Sequence, residues 1–479
     1  MERDVFNVKF AAILFLLFIF SVSLYSYDQL VTYTAPQGAL LNQDFSIRVR
    51  QPGKEWHAVP NHLIKVDEVR ETNHHVEESS MAYFDFSGEV EVSVTFNNGP
   101  VRKARIRPLS YGIEPTVKGS TLTFKLEQPR NLSVEVNDDI FHNLHLFTNP
   151  IIKDIPDRND PDVIFFGPGI HEFQDDKFEV PSNKTVYVDG GAILRGQLLI
   201  HDVQNVKVMG SGMVEHTVKM GVHISNAKNI EVEGIFTTQC ATGGSDSVTI
   251  RNVKSISYYG WGDGLNVFAS NNVYFDRVFC RNSDDCTTVY ATRKGFEGGC
   301  RNIVMENSTL WADVAHPIFI GIHGNARNFD IIEDLVYRNI DILDHKEAQL
   351  DYQGCLAING GDNNIIRNVL FEDIRIEDFR QGQLVNIRIF YNEKYCEAPG
   401  MGIENVHFRN VSYNGNNAEM SVIAGYNSDR KVRNITFENL RINGRLITDD
   451  MPGKPAWYKT GDMARIFIGE HVEGVSFIE

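Results

Sequence analysis

The chain is short of cations, of cysteine and of long apolar runs, and each shortage removes a class of function. Lys and Arg number 46 against 63 Asp and Glu, a formal net charge of −17 at pH 7. A nucleic-acid binder would show a basic face, so this balance argues against one. Only six of the 479 residues are cysteine (Cys240, Cys280, Cys286, Cys300, Cys355 and Cys396), all in the second half. No pair has CxxC spacing and no histidine cluster accompanies them, so a structural role is expected and a zinc site is not. The longest apolar run, Phe10 to Val22, is broken only by Ser21. It is well short of the ~20 residues that span a bilayer. With Ser21, Ser23 and Ser26 nearby it fits a cleaved secretory signal over residues 1–26, with an uncleaved anchor as the alternative, although Glu2 and Asp4 remove the usual positive bias before it. The rest of the chain is therefore expected outside the cytoplasm.

What is present divides in two. Residues 27–150 alternate apolar and polar positions in short runs such as DFSIRVR, EVEVSVTF and TLTFKLE, separated by Asn-Gly, Lys-Gly and Pro-Gly turn signals. That pattern predicts antiparallel strands in a β-sandwich. No catalytic constellation lies in it; its expected part is to pack on the second domain or help hold a polymer. A Pro- and Asp-rich linker follows, Asn149 to Pro161.

From there on a short phrase recurs, Asn-Val or Asn-Ile, at Asn205, Asn229, Asn252, Asn272, Asn302, Asn368, Asn405 and Asn434. The gap before Asn368 leaves room for two or more turns. Self-similarity on this scale means a solenoid. Short β-rich units without helical periodicity predict a parallel β-helix over residues 160–479, an all-β chain throughout. Each coil would lie about 4.8 Å above the last, with asparagines tolerating the left-handed bends.

Residues one coil apart lie almost above one another. Asp263 and the pair Asp284-Asp285 are separated by about one coil, so the three carboxylates should share a face, with His316 on the next rung. Crowded carboxylates spread their pKa values, which lets one act as acid and another as base at one pH. A histidine beside them can hold one in position.

Asp263-Gly264, then Ser283-Asp284-Asp285-Cys286, then Ala315-His316-Pro317 before IFIG resembles glycoside hydrolase family 28, the polygalacturonases. That family's order is Asn-Thr-Asp-Gly, Gly-Asp-Asp, Gly-His-Gly on a right-handed β-helix. The sandwich before the helix and the HPIFIG strand are also similar to glycoside hydrolase family 49, the dextranases and isopullulanases. The resemblance implies inverting, metal-independent hydrolysis of a polysaccharide with no cofactor. Asp284 would be the general acid, and Asp263 and Asp285 would hold and deprotonate the water. A secreted monomer is expected.

Three features depart from the family pattern. Trp261 stands where it has asparagine, and Ala315 and Pro317 flank His316 where it has glycines. Its Arg-Ile-Lys, which grips the uronate carboxylate, falls on Cys355 to Gly360, which here reads CLAING. Arg388, one coil further on, is the candidate replacement, with Tyr391 as a sugar platform. Three rival readings remain: an α-glucan hydrolase of the dextranase type, a calcium-dependent polysaccharide lyase, and a non-catalytic carbohydrate-binding β-helix.

Overall fold

The computed structural model describes residues 29–71, 73–215 and 220–479; the signal-like segment 1–26 lies outside them. The N-terminal strands form two sheets. One contains Gln29–Thr32, His62–Arg70, Asn73–Ser87, Ala104–Arg107, Asn131–Val136 and Asp139–Asn149; the other contains Phe45–Arg50, His57–Val59, Val90–Phe96, Thr116–Lys118 and Thr121–Leu126. The alternation in Phe45–Arg50 puts Phe45, Ile47 and Val49 inside and Ser46 and Arg48 outside. Those inward residues meet Phe84, Leu132 and Leu144 of the facing sheet in one buried cluster. The arrangement is a β-sandwich.

Beyond it a single sheet of 29 strands winds from Val163–Phe166 to Val472–Ile478. Its neighbouring coils pair in parallel, as where Val273, Ile303, Leu335, Val369, Val406 and Ile435 follow one another rung by rung. The chain therefore folds as a parallel β-helix. Aromatic residues stack inside it at the same register. Tyr337, Phe371, Phe408, Phe437 and Phe477 have successive ring centroids 5.3, 4.8, 4.7 and 4.9 Å apart, close to parallel. All six cysteines are buried with free thiols.

The asparagine repeat resolves into two corners. Asn205, Asn229, Asn272, Asn302, Asn368, Asn405 and Asn434 share one corner, all with φ between 54 and 60° or within a few degrees of it. Their side-chain amides form a ladder, with Asn229 Nδ2 donating to Asn205 Oδ1 at 2.8 Å and Asn302 Nδ2 to Asn272 Oδ1 at 2.8 Å. Asp334 fills the corner between Asn302 and Asn368, so that gap holds two coil intervals. Asn252 belongs elsewhere. Ser247 holds its expected place, and Asn252 begins a second left-handed corner that continues through Arg277, Asn307, Asn339, Asp373, Asn410 and Asn439. Both corners demand positive φ, which asparagine adopts at little cost, so the same residue marks two different bends.

The sandwich docks on one flank of the coils. Val66, Met81, Tyr83 and Phe147 pack with Phe236, Phe279, Trp311 and Leu343. Charges are buried in the same seam. Arg107, 3% exposed, bonds Glu135 within the sandwich at 3.0 Å and Glu377 of the coils at 2.6 Å. Arg281 pairs with Asp313 at 2.9 Å, donates to Asn143 at 2.8 Å and lies over the Trp311 ring. Breaking a buried pair by removing one partner leaves an uncompensated charge, at a cost of about 3–5 kcal/mol. Arg107→Ala should lower the unfolding free energy measured by denaturant titration by that order. A loss under about 1 kcal/mol, the value of a surface pair, would show that the seam is held by its apolar contacts alone.

Candidate active site

One face of the coils carries the strands Leu265–Phe268, Thr287–Tyr290, Ile318–Gly321, Leu356–Gly360 and Val385–Ile389. Leu265 pairs with Thr287, and Thr288 with Phe319. The register continues into the segments just before these strands. Gly264 N donates to Asp285 O at 2.8 Å, and Cys286 N to His316 O at 2.8 Å. Asp263, Asp285 and His316 thus occupy equivalent positions on three successive coils, and Asp284 stands beside Asp285. The partner of Asp263 across the rung is Asp285, a coil of 22 residues from Leu265 to Thr287.

Short polar contacts fix these segments. Asn282 Nδ2 donates to Ser257 Oγ at 2.9 Å, and Ser283 Oγ to Tyr259 O at 2.5 Å, tying the loop before Asp263 to the segment before Asp284. The coils approach so closely here that a Cβ on Gly264 would lie 2.4 Å from Cys286 O. Glycine after Asp263 is thereby required. Trp261, two residues before it, has φ 62° and an indole 86% exposed.

Asp285 is buried and fully engaged. Its Oδ1 accepts from His316 N at 3.1 Å and lies 2.7 Å from His316 Nδ1; its Oδ2 accepts from the Tyr290 hydroxyl at 3.2 Å. His316 Nε2 lies 2.6 Å from the Tyr352 carbonyl, which can only accept. Both ring nitrogens therefore face acceptors, an arrangement that suits the imidazolium. Burial pulls the His316 pKa down, but the charge and hydrogen bond of Asp285 outweigh it, so the net shift is upward. Phe319 stacks on the ring with centroids 4.3 Å apart.

The other two acids are half-buried. Burial, then the Asp285 charge, push Asp263 up to about 7, against the Asn266 amide that donates to Oδ2 at 2.6 Å. Burial and the charges of Asp263 and Asp285 hold Asp284 well above the carboxylate range. Asp263 and Asp284 are thus both biased toward the protonated form, beside an Asp285 fixed by the His316 ring.

Glu347 joins the cluster unannounced. Its buried carboxylate accepts from Gln349 N at 2.7 Å, and its charge raises both Asp284 and His316. It lies between strands, in a segment whose only sequence signal is the charged run His345-Lys346-Glu347. Among the described residues no group of three or more His, Cys, Asp or Glu could hold a metal ion.

The expected sugar contacts are spread out. Ala357 and Asn359 take the outward positions of Leu356–Gly360 and are fully buried. Ala357 sits under Phe319, Phe390, Tyr352 and Tyr395. Arg388 follows Asn359 on the next coil. It is three rungs from Asp285, about 14 Å along the axis at 4.8 Å per rung. Its Nη1 donates to Asp351 O at 3.0 Å. Tyr391 is exposed just past the same strand.

Comparison with known proteins bears on the family and the fold. "Putative galacturan 1,4-alpha-galacturonidase A" of Aspergillus flavus is 22% identical over 251 residues, 46% of this chain and 53% of that protein. The protein of the same name from Aspergillus niger is 23% identical over 171 residues, 32% of this chain and 37% of its own length. The chain thus spans about half or less of these relatives. Dex49A from Penicillium minioluteum has the same fold, with a TM-score of 0.54 at 13% identity over 93% of this chain and 96% of that one. The model of glycosyl hydrolases family 28 matches residues 183–452, which is more than half the chain and contains Asp263, Asp284, Asp285 and His316. The chain belongs to glycosyl hydrolases family 28.

Proposed function

We propose that this protein is a secreted, polygalacturonase-like hydrolase that cleaves a polysaccharide with inversion. The observation that carries the proposal is the stack of Asp263, Asp285 and His316 with a proton-holding Asp284 beside it. Asp284 gives its proton to the departing glycosidic oxygen. Water enters from the opposite face of the sugar and loses its proton to Asp263 or Asp285. Inversion needs that water between acid and base, with carboxyl groups about 6.5–9.5 Å apart. His316 keeps Asp285 oriented and offsets part of the negative charge. Arg388 and Tyr391, well along the axis, suit a distal sugar of the same polymer.

An α-glucan substrate is the alternative, and one observation favours it. Ala357 and Asn359 leave no cation on the coil after His316, where the polygalacturonase pattern has two. Product analysis on polygalacturonate, rhamnogalacturonan, dextran and pullulan side by side separates the two substrates. A lyase would leave unsaturated ends and lose activity to a chelator; a binding protein would release no reducing sugar at all.

The aspartates can be told apart by leaving group. General acid–base catalysis is worth about 10²–10⁴-fold, so each Asp→Asn change should lower kcat by that order. A nitrophenyl glycoside needs little acid help and should partly rescue Asp284→Asn, but neither Asp263→Asn nor Asp285→Asn. Rescue at Asp285 would exchange the roles of the pair. Losses below about tenfold at all three positions, far under the expected range, would move the catalytic centre elsewhere.

The same charges predict a pH-dependent stability. Asp263 has a folded pKa of about 7 against an ordinary 3.8, so the native state binds more protons than the unfolded chain between those values. The associated stability is fully present below the ordinary value and lost as pH rises through the folded one. Asp263→Asn should therefore raise the melting temperature at about pH 8 while lowering kcat. A melting temperature that stays level or falls would show that the carboxylate is not under electrostatic load.

A further inference from the structure

The groove holds two cations that the hydrolytic steps do not use. Arg293 and Lys294 lie in the segment after Thr287–Tyr290, between the aspartate pair and His316. Arg293 and Phe296 exchange both backbone hydrogen bonds at 2.9 Å, closing a tight turn. Its central residues, Lys294 and Gly295, have φ 49° and 87°. Such a turn favours Asn-Gly, because both central residues are left-handed. A lysine there is a costly choice, and kept strain of this kind points to function.

The turn is rigidly mounted. Phe296 packs over Gly243, where a Cβ would lie 2.2 Å from its ring, and stacks with Phe268. Gly298 N donates to Thr292 Oγ1 at 2.9 Å and Thr292 N to Asp330 Oδ2 at 3.2 Å. Lys294 Nζ stands 5.7 Å from the Phe268 ring centroid, on the strand that follows Asp263. Arg293 Nη1 donates to His323 Nδ1 at 3.2 Å. Burial and the two cations drive His323 down to about 3, so it is the neutral acceptor this contact needs. His323 in turn packs edge-on against Tyr290, whose hydroxyl bonds Asp285. A continuous line of contacts thus joins the cation to the acid cluster, and the charges of both Lys294 and Arg293 act on Asp263.

Neither cation has a carboxylate within ion-pair distance among the described residues, in a chain of net charge −17. Arg293 Nε is also buried without an acceptor there. With Nη1 committed to His323 and Nε closed off inside, Nη2 is the guanidinium nitrogen left to meet an anion, beside the exposed Lys294. An anionic sugar brought beside Asp263, Asp284 and Asp285 would be repelled unless cations offset them. We propose that Arg293 and Lys294 are the carboxylate contact of this groove, holding a uronate residue of the substrate next to Asp263. The assignment rests on the hydrolase proposal for the location of the groove. It moves the anion contact from Arg388 to the turn between the aspartate pair and His316.

The test uses the full chain carrying Asp284→Asn, so that ligand binds without turnover. Calorimetric titration with a short oligogalacturonate, its methyl ester and an isomalto-oligosaccharide should give tightest binding to the free acid. Adding Arg293→Gln or Lys294→Asn should weaken oligogalacturonate binding about ten- to a hundredfold, the worth of a charged hydrogen bond, and leave the methyl ester unchanged. Asparagine suits the left-handed position of Lys294, so a loss in Lys294→Asn cannot be laid to a broken turn. Free acid bound no more tightly than methyl ester, or affinity unchanged within about twofold in both variants against that expectation, overturns the assignment. A wild-type chain that releases no reducing ends from any polysaccharide overturns the hydrolase proposal instead, and the titration still decides the cations.

Discussion

Parallel pairing between successive coils is the constraint on which everything else depends. It fixes neighbouring rungs about 4.8 Å apart, so whatever the sequence repeats at one coil length must meet itself. Asparagine amides meet as ladders, and Phe371, Phe408 and Phe437 meet as a stack. By the same geometry Asp263 is placed one rung from Asp285, close enough for the charge of one to raise the pKa of the other. The fold creates the repulsion on which the proposed acid–base pair would draw.

That repulsion is contained by unlike devices at the three acids. Asp285 is tied down by the His316 ring, a backbone N–H and a tyrosine hydroxyl. Asp263 has one amide donor, and Asp284 accepts the N–H of Asp285 at 3.0 Å. Asp263 and Asp284 are both held above the ordinary carboxylate range, while Asp285 is held by its hydrogen bonds. Such a cluster subtracts from stability, and the long aromatic and aliphatic interior of the coils offsets it.

Much of this was legible in the sequence because a solenoid writes its geometry locally. Period-2 alternation marked the sandwich, and recurring Asn-Val and Asn-Ile marked the bends. The limits were equally local. Asn252 carries the same Asn-Val dipeptide as Asn205 and Asn272, yet which corner it turns depends on strand lengths that the dipeptide does not encode. Spacing put Asp263 one coil from the pair, but a shift of one residue decides whether Asp284 or Asp285 is opposite, and backbone pairing chooses Asp285. Glu347 and Arg293 left no periodic trace, since they sit in excursions between strands that only tertiary packing brings over the groove. The empty rung at Ala357 was visible as CLAING; its aromatic cover was not.

The seam between sandwich and coils also limits how the molecule can move. Two-domain carbohydrate enzymes could close on a polymer by hinging, and relative domain motion is the default when an interface is small and polar. Here hinging would pull Arg107 from Glu377 and expose Trp311 and Phe147, which are fully buried. Any embrace of the substrate must therefore come from the excursions of the coils themselves, around Arg293 and around Tyr352. The buried seam opposes hinging between the two parts, so a polymer on the proposed groove would be held by loops rather than by a jaw.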